Sequence, residues 1–156
     1  MLQQIRVSAI APALKLLPAK MSGRRAEQML LSIGLQASRL IHRRQIGGPA
    51  RGLWQFEMGG GVRGVLEHPT TQALALFVCQ PRGVPATDAA VYAALEHDDV
   101  LAAAFAPLML WTDPAPLPAV GGIQQAWDLY LRTWRPDKPH RQTWDDLYAQ
   151  AMGEVA

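Results

Sequence analysis

A chain of 156 residues, 49% hydrophobic and 18% charged, has the length and make-up of one globular domain with a sizeable core, which excludes a disordered polyelectrolyte. The single cysteine, Cys79, excludes an internal disulfide and a thiolate metal cluster, and the lack of any long uninterrupted apolar run excludes a membrane-spanning helix. Net charge is +2, yet residues 1–63 hold ten Lys/Arg against Glu27 and Glu57 (+8), while the rest hold five against eleven acids (−6). Either the front half faces an anionic partner (glycan, nucleic acid or an acidic subunit), or the two halves attract each other across the fold.

The opening "MLQQIRVSAIAPALKLLPAKMSG" has a short apolar run interrupted by Pro12 and Lys15 and no small-x-small cleavage site. It reads as a basic and apolar arm or short helix over 1–21 rather than a secretory leader; residues 22–156 read as a single helical domain. Ser22 is expected to cap a helix to about Ile41, since Ala26, Met29, Leu30, Ile33, Ala37, Leu40 and Ile41 recur at three and four. "GGPARG" ends that helix, and "GGG" at 59–61 breaks the chain again. "VRGVLEH" predicts a short helix, followed by one from Pro69 to about Gln80. Thr87 and Asp98 are placed to cap "DAAVYAALEH" and "DVLAAAFAPLMLW", the second with a kink at Pro107. After the rigid "TDPAPLPAVGG", two last helices are expected over 122–134 and 141–152, separated by "RPDKPH". With no sustained period-two alternation, the fold class is all-α: seven or eight short helices in an irregular globule.

The informative stretch is "IGLQASRLIHRRQIGGPARGLWQFE", residues 33–57. Position 37 falls near the last turn of its helix, beside the loop that follows. A carboxyl there would be half desolvated, which raises its pKa and suits it to act as a general acid. Trp54 offers a flat apolar ring for a sugar face, and Gln55 an amide for its hydroxyls.

"LQASRL" followed by "GLWQF" resembles the first two motifs of the lysozyme-like, or lytic transglycosylase, family, which reads Glu-Ser at a helix end and then Gly-Leu-Met-Gln. Ser38 matches the serine; Gly52, Leu53 and Gln55 match the second motif, with Trp54 in place of methionine. "TDPAPLP" and "WDLYLRTWRPDKP" resemble small proteins of tailed phages and prophages. The match spans about twenty-five residues. The family's later aromatic-asparagine pair has no counterpart, since "VYAAL" supplies Tyr92 without the asparagine.

The resemblance implies peptidoglycan glycan strands as partner and position 37 as the acid/base that protonates the leaving oxygen. Ala37 stands there and can neither donate nor accept a proton, so the chain as written is expected to be inactive or impaired. Three explanations stay open: a replaced glutamate, a non-catalytic relative retained for binding or assembly, or coincidence with Ala37 a plain core residue.

Glu57 is a second candidate carboxylate, for positioning water or a sugar hydroxyl, against pairing with Arg51 or Arg63. Glu67 lies ten residues further on. Arg43, within "HRR", is a candidate clamp for a stem-peptide carboxylate or a phosphate, against a solvated helix end. Trp127, Tyr130 and Trp134 share one helical face; the stripe reads as core, with Tyr130 its best candidate for lining a glycan groove. Ser38 is expected to orient the loop by hydrogen bonds. His42, His68, His97 and His140 lack metal-ligand spacing, and the glycine runs fit no nucleotide-binding pattern, so neither metal nor cofactor is expected. The expected location is a virion or the bacterial cell wall. A rival reading is a virion structural or assembly protein whose basic arm docks a neighbouring subunit or DNA.

Overall fold

The computed structural model describes all 156 residues and is all-helical, with no strand or sheet. The N-terminal segment is a packed helix and not a free arm: α1 (Leu2–Ile5) and α2 (Ala11–Lys15) run together through a π-wound turn, Arg6–Ile10, in which the Ala11 N–H donates to the Arg6 carbonyl. Its Ala9, Ile10 and Ala13 are fully buried in the common core, which makes the segment integral to the domain.

A 3-10 turn at Ala19–Met21 leads into α3 (Arg24–Ser38). Ser22 makes no capping bond; Gly23, in left-handed backbone at φ 118°, precedes the first turn instead. The helix ends three residues before the expected Ile41 because Arg39 (φ 59°) and Leu40 (φ 55°) both turn left-handed. The Leu40 N–H then donates to the Gly34 carbonyl at 3.2 Å.

Residues 59–61 do not break the chain: they sit inside a π-wound turn, Met58–Val62, that continues into α4 (Arg63–Glu67). Next come α5 (Gln72–Cys79), α6 (Asp88–Leu95) and α7 (Asp99–Trp111). The two expected caps are present, Thr87 Oγ1 accepting from the Ala90 N–H and Asp98 Oδ1 from that of Leu101. α8 (Ile123–Trp134) and α9 (Arg141–Val155) complete eight helices, the joined first pair counted as one.

α7 is apolar on nearly every side and is buried almost throughout, from Leu101 to Leu110. It touches the N-terminal rod, α3, α4, α5, α6 and α8. α3 and α9 lie along each other on one flank. The late aromatics knit α8 to α9: Tyr130 and Trp144 stack at 5.5 Å between centroids, with Trp127, Trp134 and Tyr148 around them.

The uneven charge is in part offset inside the fold. Arg6, Arg43, Arg44, Arg51 and Arg63, half of the ten front cations, pair with Glu154, Asp99, Glu96 and Asp88 of the acidic half. Most of these bridges are partly exposed and each is worth a fraction of a kcal/mol up to about 1. Their role is to join distant segments. Cys79 is buried, and that burial, helped by the Asp98 charge, pushes its thiol up to about 11, so it stays an inert thiol at neutral pH.

Candidate functional site

The end of α3 and the loop after it form one side of an open groove of about 510 Å³. Gln36, Ala37, Ser38, His42, Gln55 and Glu57 line this near wall, with the tip 44–50 beside them; Tyr130, Trp134 and residues 136–140 form the far wall. Ala37 is half-buried and lines the groove; it is not sealed among leucines.

The near wall is held by its backbone. In the loop 43–56 the Gly52 N–H donates to the Arg43 carbonyl at 2.7 Å, and Arg51 and Phe56 exchange two bonds at 2.9 Å. Gly52 is at φ 80°, and a Cβ there would collide with the Leu95 carbonyl, so only glycine lets the loop lie against α6. Ser38 is buried: its Oγ donates to the Leu53 carbonyl at 2.6 Å and accepts from the Leu40 N–H at 3.1 Å. That hydroxyl fastens helix end to loop and is occupied.

Two sequence expectations are overturned by burial and pairing. Trp54 is no sugar platform: it is 0% exposed, and its Nε1–H donates to the Leu30 carbonyl at 2.8 Å. Gly34 makes the room, since a Cβ there would stand 3.2 Å from that same nitrogen and run into Leu40. Arg43 is no ligand clamp: it forms a two-pronged ion pair with Asp99, 2.8 Å on one arm, gives a further N–H to the Glu96 carbonyl, and does not line the groove. The bond to Asp99 raises its guanidinium pKa further, so the charge is permanent and internally neutralised.

Gln55, in left-handed backbone at φ 55°, gives its amide N–H groups to the carbonyls of Gly52 and His42, at 2.8 and 3.3 Å. Its Oε1 has no protein partner and remains an acceptor on the groove. Glu57 is exposed on the groove and does not pair with Arg51 or Arg63, because those arginines hold Glu96 and Asp88. Glu67 is not part of the lining.

On the far wall Tyr130 is only 4% exposed, far more enclosed than expected of the stripe's best groove candidate. Burial pushes its phenol up to about 12, so it can donate a hydrogen bond but not a proton near neutrality. Trp134, half-buried, is the aromatic surface of the groove, and its Nε1–H donates to the Trp54 carbonyl at 2.8 Å, tying the two walls together. Only one signal pointed there: Trp134 ends its stripe at a helix terminus, beside a proline-rich loop.

Gln36 had no distinguishing signal. Its Nε2 donates to the carbonyls of Pro139 and His140 at 2.9 and 3.0 Å, and its Oε1 accepts from Thr143 at 2.9 Å. The far wall is thereby fixed to the residue beside Ala37. Acidic and basic side chains both rim the groove: Glu57 and Asp137 against Arg44 and Lys138, with His42 and His140. No cluster of His, Cys, Asp or Glu is arranged to hold a metal, and no helix is long and apolar enough to cross a membrane.

Comparison with protein-family models, curated proteins and solved structures finds no match to this chain.

Proposed function

We propose that the groove binds a glycan strand of the peptidoglycan type in a lysozyme-like manner, and that position 37 is the seat of the acid/base. One observation carries the reading: Ala37 lines the same groove as Gln55, Glu57 and Trp134. The ring of Trp134 suits the apolar face of a sugar, and Gln55 Oε1 suits a hydroxyl donor. A glutamate at 37 would sit half-shielded at a helix end, where partial desolvation keeps a carboxyl protonated for transfer to the leaving oxygen.

The chain as written has only a methyl there, so it binds the strand without cleaving it. Glu57 does not replace the missing group: it is exposed and unpaired, and water screens it from the desolvation a general acid needs. In a virion this would be a wall-binding component, and its active form would open the wall locally.

Ala37→Glu should release muropeptides from purified sacculi at a rate about 10² to 10⁴ above the parent chain, while Ala37→Gln stays at the parent's level. A folded Ala37→Glu protein with no gain overturns the assignment of position 37. Failure of the parent chain to sediment with sacculi overturns the binding itself.

A further inference from the structure

We propose that the end of the molecule opposite the groove docks onto the phosphate backbone of duplex DNA. The groove is built at the C-terminal end of α3; Arg24 and Arg25 open the same helix at its N-terminus, about 20 Å away for a helix of this length. Lys15 and Lys20 precede them, and all four side chains are exposed.

None of the four cations is paired with a carboxylate, in contrast to Arg6, Arg43, Arg44, Arg51 and Arg63; the other unpaired front-half cation, Arg39, lies at the opposite end of α3, where it gives Nη1–H to the Leu35 and Gln36 carbonyls. Arg24 gives its Nε–H to the Val155 carbonyl at 3.1 Å and Arg25 one Nη1–H to that of Leu117 at 3.5 Å, so most of each guanidinium fork is free. The Lys20 ammonium lies 5.0 Å from the centre of the Trp111 ring. Arg6 is shared by Glu27 and Glu154, which leaves one negative charge against the four cations, and Asp113 is offset by Arg132, so the sum at this end is about +3. A net positive field therefore leaves this end of the molecule.

The chemistry of the patch favours a phosphate polymer over other anions. No large side chain between residues 8 and 28 is an exposed apolar one; the apolar surface nearby is Val7 and a shallow groove lined by Leu14 and Leu17 beside Lys15. A protein partner would need a buried apolar or aromatic anchor, and a membrane surface would need apolar side chains to insert. Four exposed cationic heads around a groove from which no large apolar side chain protrudes suit sequence-independent contacts to a nucleic-acid backbone, driven by counterion release.

The test is the affinity of the full chain for a short labelled DNA duplex between about 50 and 200 mM salt. Four phosphate contacts predict a log–log slope of about −3 to −4, with binding about 100-fold weaker at the higher salt. Lys15→Gln with Lys20→Gln, which removes no hydrogen bond, should flatten the slope by about two, and adding Arg24→Gln and Arg25→Gln should bring it near zero. Three outcomes overturn the proposal: no retention at low salt, an unchanged slope in the fourfold variant with native circular dichroism, or tighter binding to phosphatidylglycerol vesicles than to the duplex. Sedimentation with sacculi reads the groove separately, so failure at one end of α3 is distinguishable from failure at the other.

Discussion

The two walls of the groove each carry a tryptophan, and the fold uses the two in opposite ways. Trp54 belongs to the near wall by sequence but is fully enclosed, its N–H on the Leu30 carbonyl and its ring against Gly34. Trp134, on the far wall, is half-buried, lines the groove, and gives its N–H to the Trp54 carbonyl. Both indole donors are satisfied by backbone, so hydrogen bonding does not distinguish them. What differs is whether part of the ring remains open, and only such a ring can serve as a platform for a ligand.

The most direct way to break this contrast is to truncate each indole. Trp54→Ala should cost about 3–5 kcal/mol in denaturant unfolding, because it empties a fully packed site. Trp134→Ala should cost about half as much, and should weaken sedimentation with sacculi on the order of tenfold, about 1.4 kcal/mol. Equal stability losses, or a binding loss larger at Trp54, would erase the distinction between wall and platform.

A smaller effect sharpens it from the far side. Gln36→Ala removes the ties to Pro139, His140 and Thr143 and should destabilise the protein by about 1–2 kcal/mol. Proteolysis should then cut first within 135–140; a cleavage pattern like the parent's would mean the prolines hold that wall unaided.

The smallest effect is alkaline. Burial raises the Tyr130 pKa to about 12, above the value of about 10 for an exposed tyrosine. The folded state therefore holds this proton more tightly than the unfolded one. Its contribution to stability is complete below about pH 10 and is lost as pH rises through about 12. Tyr130→Phe should flatten that decline in the unfolding midpoint; an identical decline in both proteins would place the titrating group elsewhere.

Much of the helical framework was legible because its signals are local. Thr87 and Asp98 cap where side-chain oxygen precedes an apolar run, and the terminal helices start where Gly122 and His140 end the proline segments. The departures from the local pattern have local causes too. Gly23, not Ser22, is the residue that precedes α3, since its positive φ makes the turn into the helix without a side-chain cap. The glycines at 59–61 look like a break, but they lie inside the π-wound turn that leads into α4, where a Cβ at Gly61 would collide with the Phe56 ring.

The site was legible only in part. "LQAS" and "GLWQ" located a helix end and a loop that meet, and Ala37, Ser38 and Gln55 do lie on one groove. The pairing of Arg43 and the burial of Trp54 are not legible locally, because nothing in the pattern announces that Asp99 holds the one or that Gly34 leaves room for the other.

Composition, spacing and caps determined the helical class and most element positions, because a helix is specified by contacts three and four residues apart. Which side chains face the groove was decided by partners far along the chain: Trp54 with Trp134, Gln36 with Thr143, Arg43 with Asp99. The same holds for charge. Sequence counts show a basic front half, but only the fold reveals that half of those cations are matched by distant carboxylates while Lys15, Lys20, Arg24, Arg25 and Arg39 remain without one. Exposure and neutralisation depend on what packs nearby in space, and a linear pattern does not carry that information.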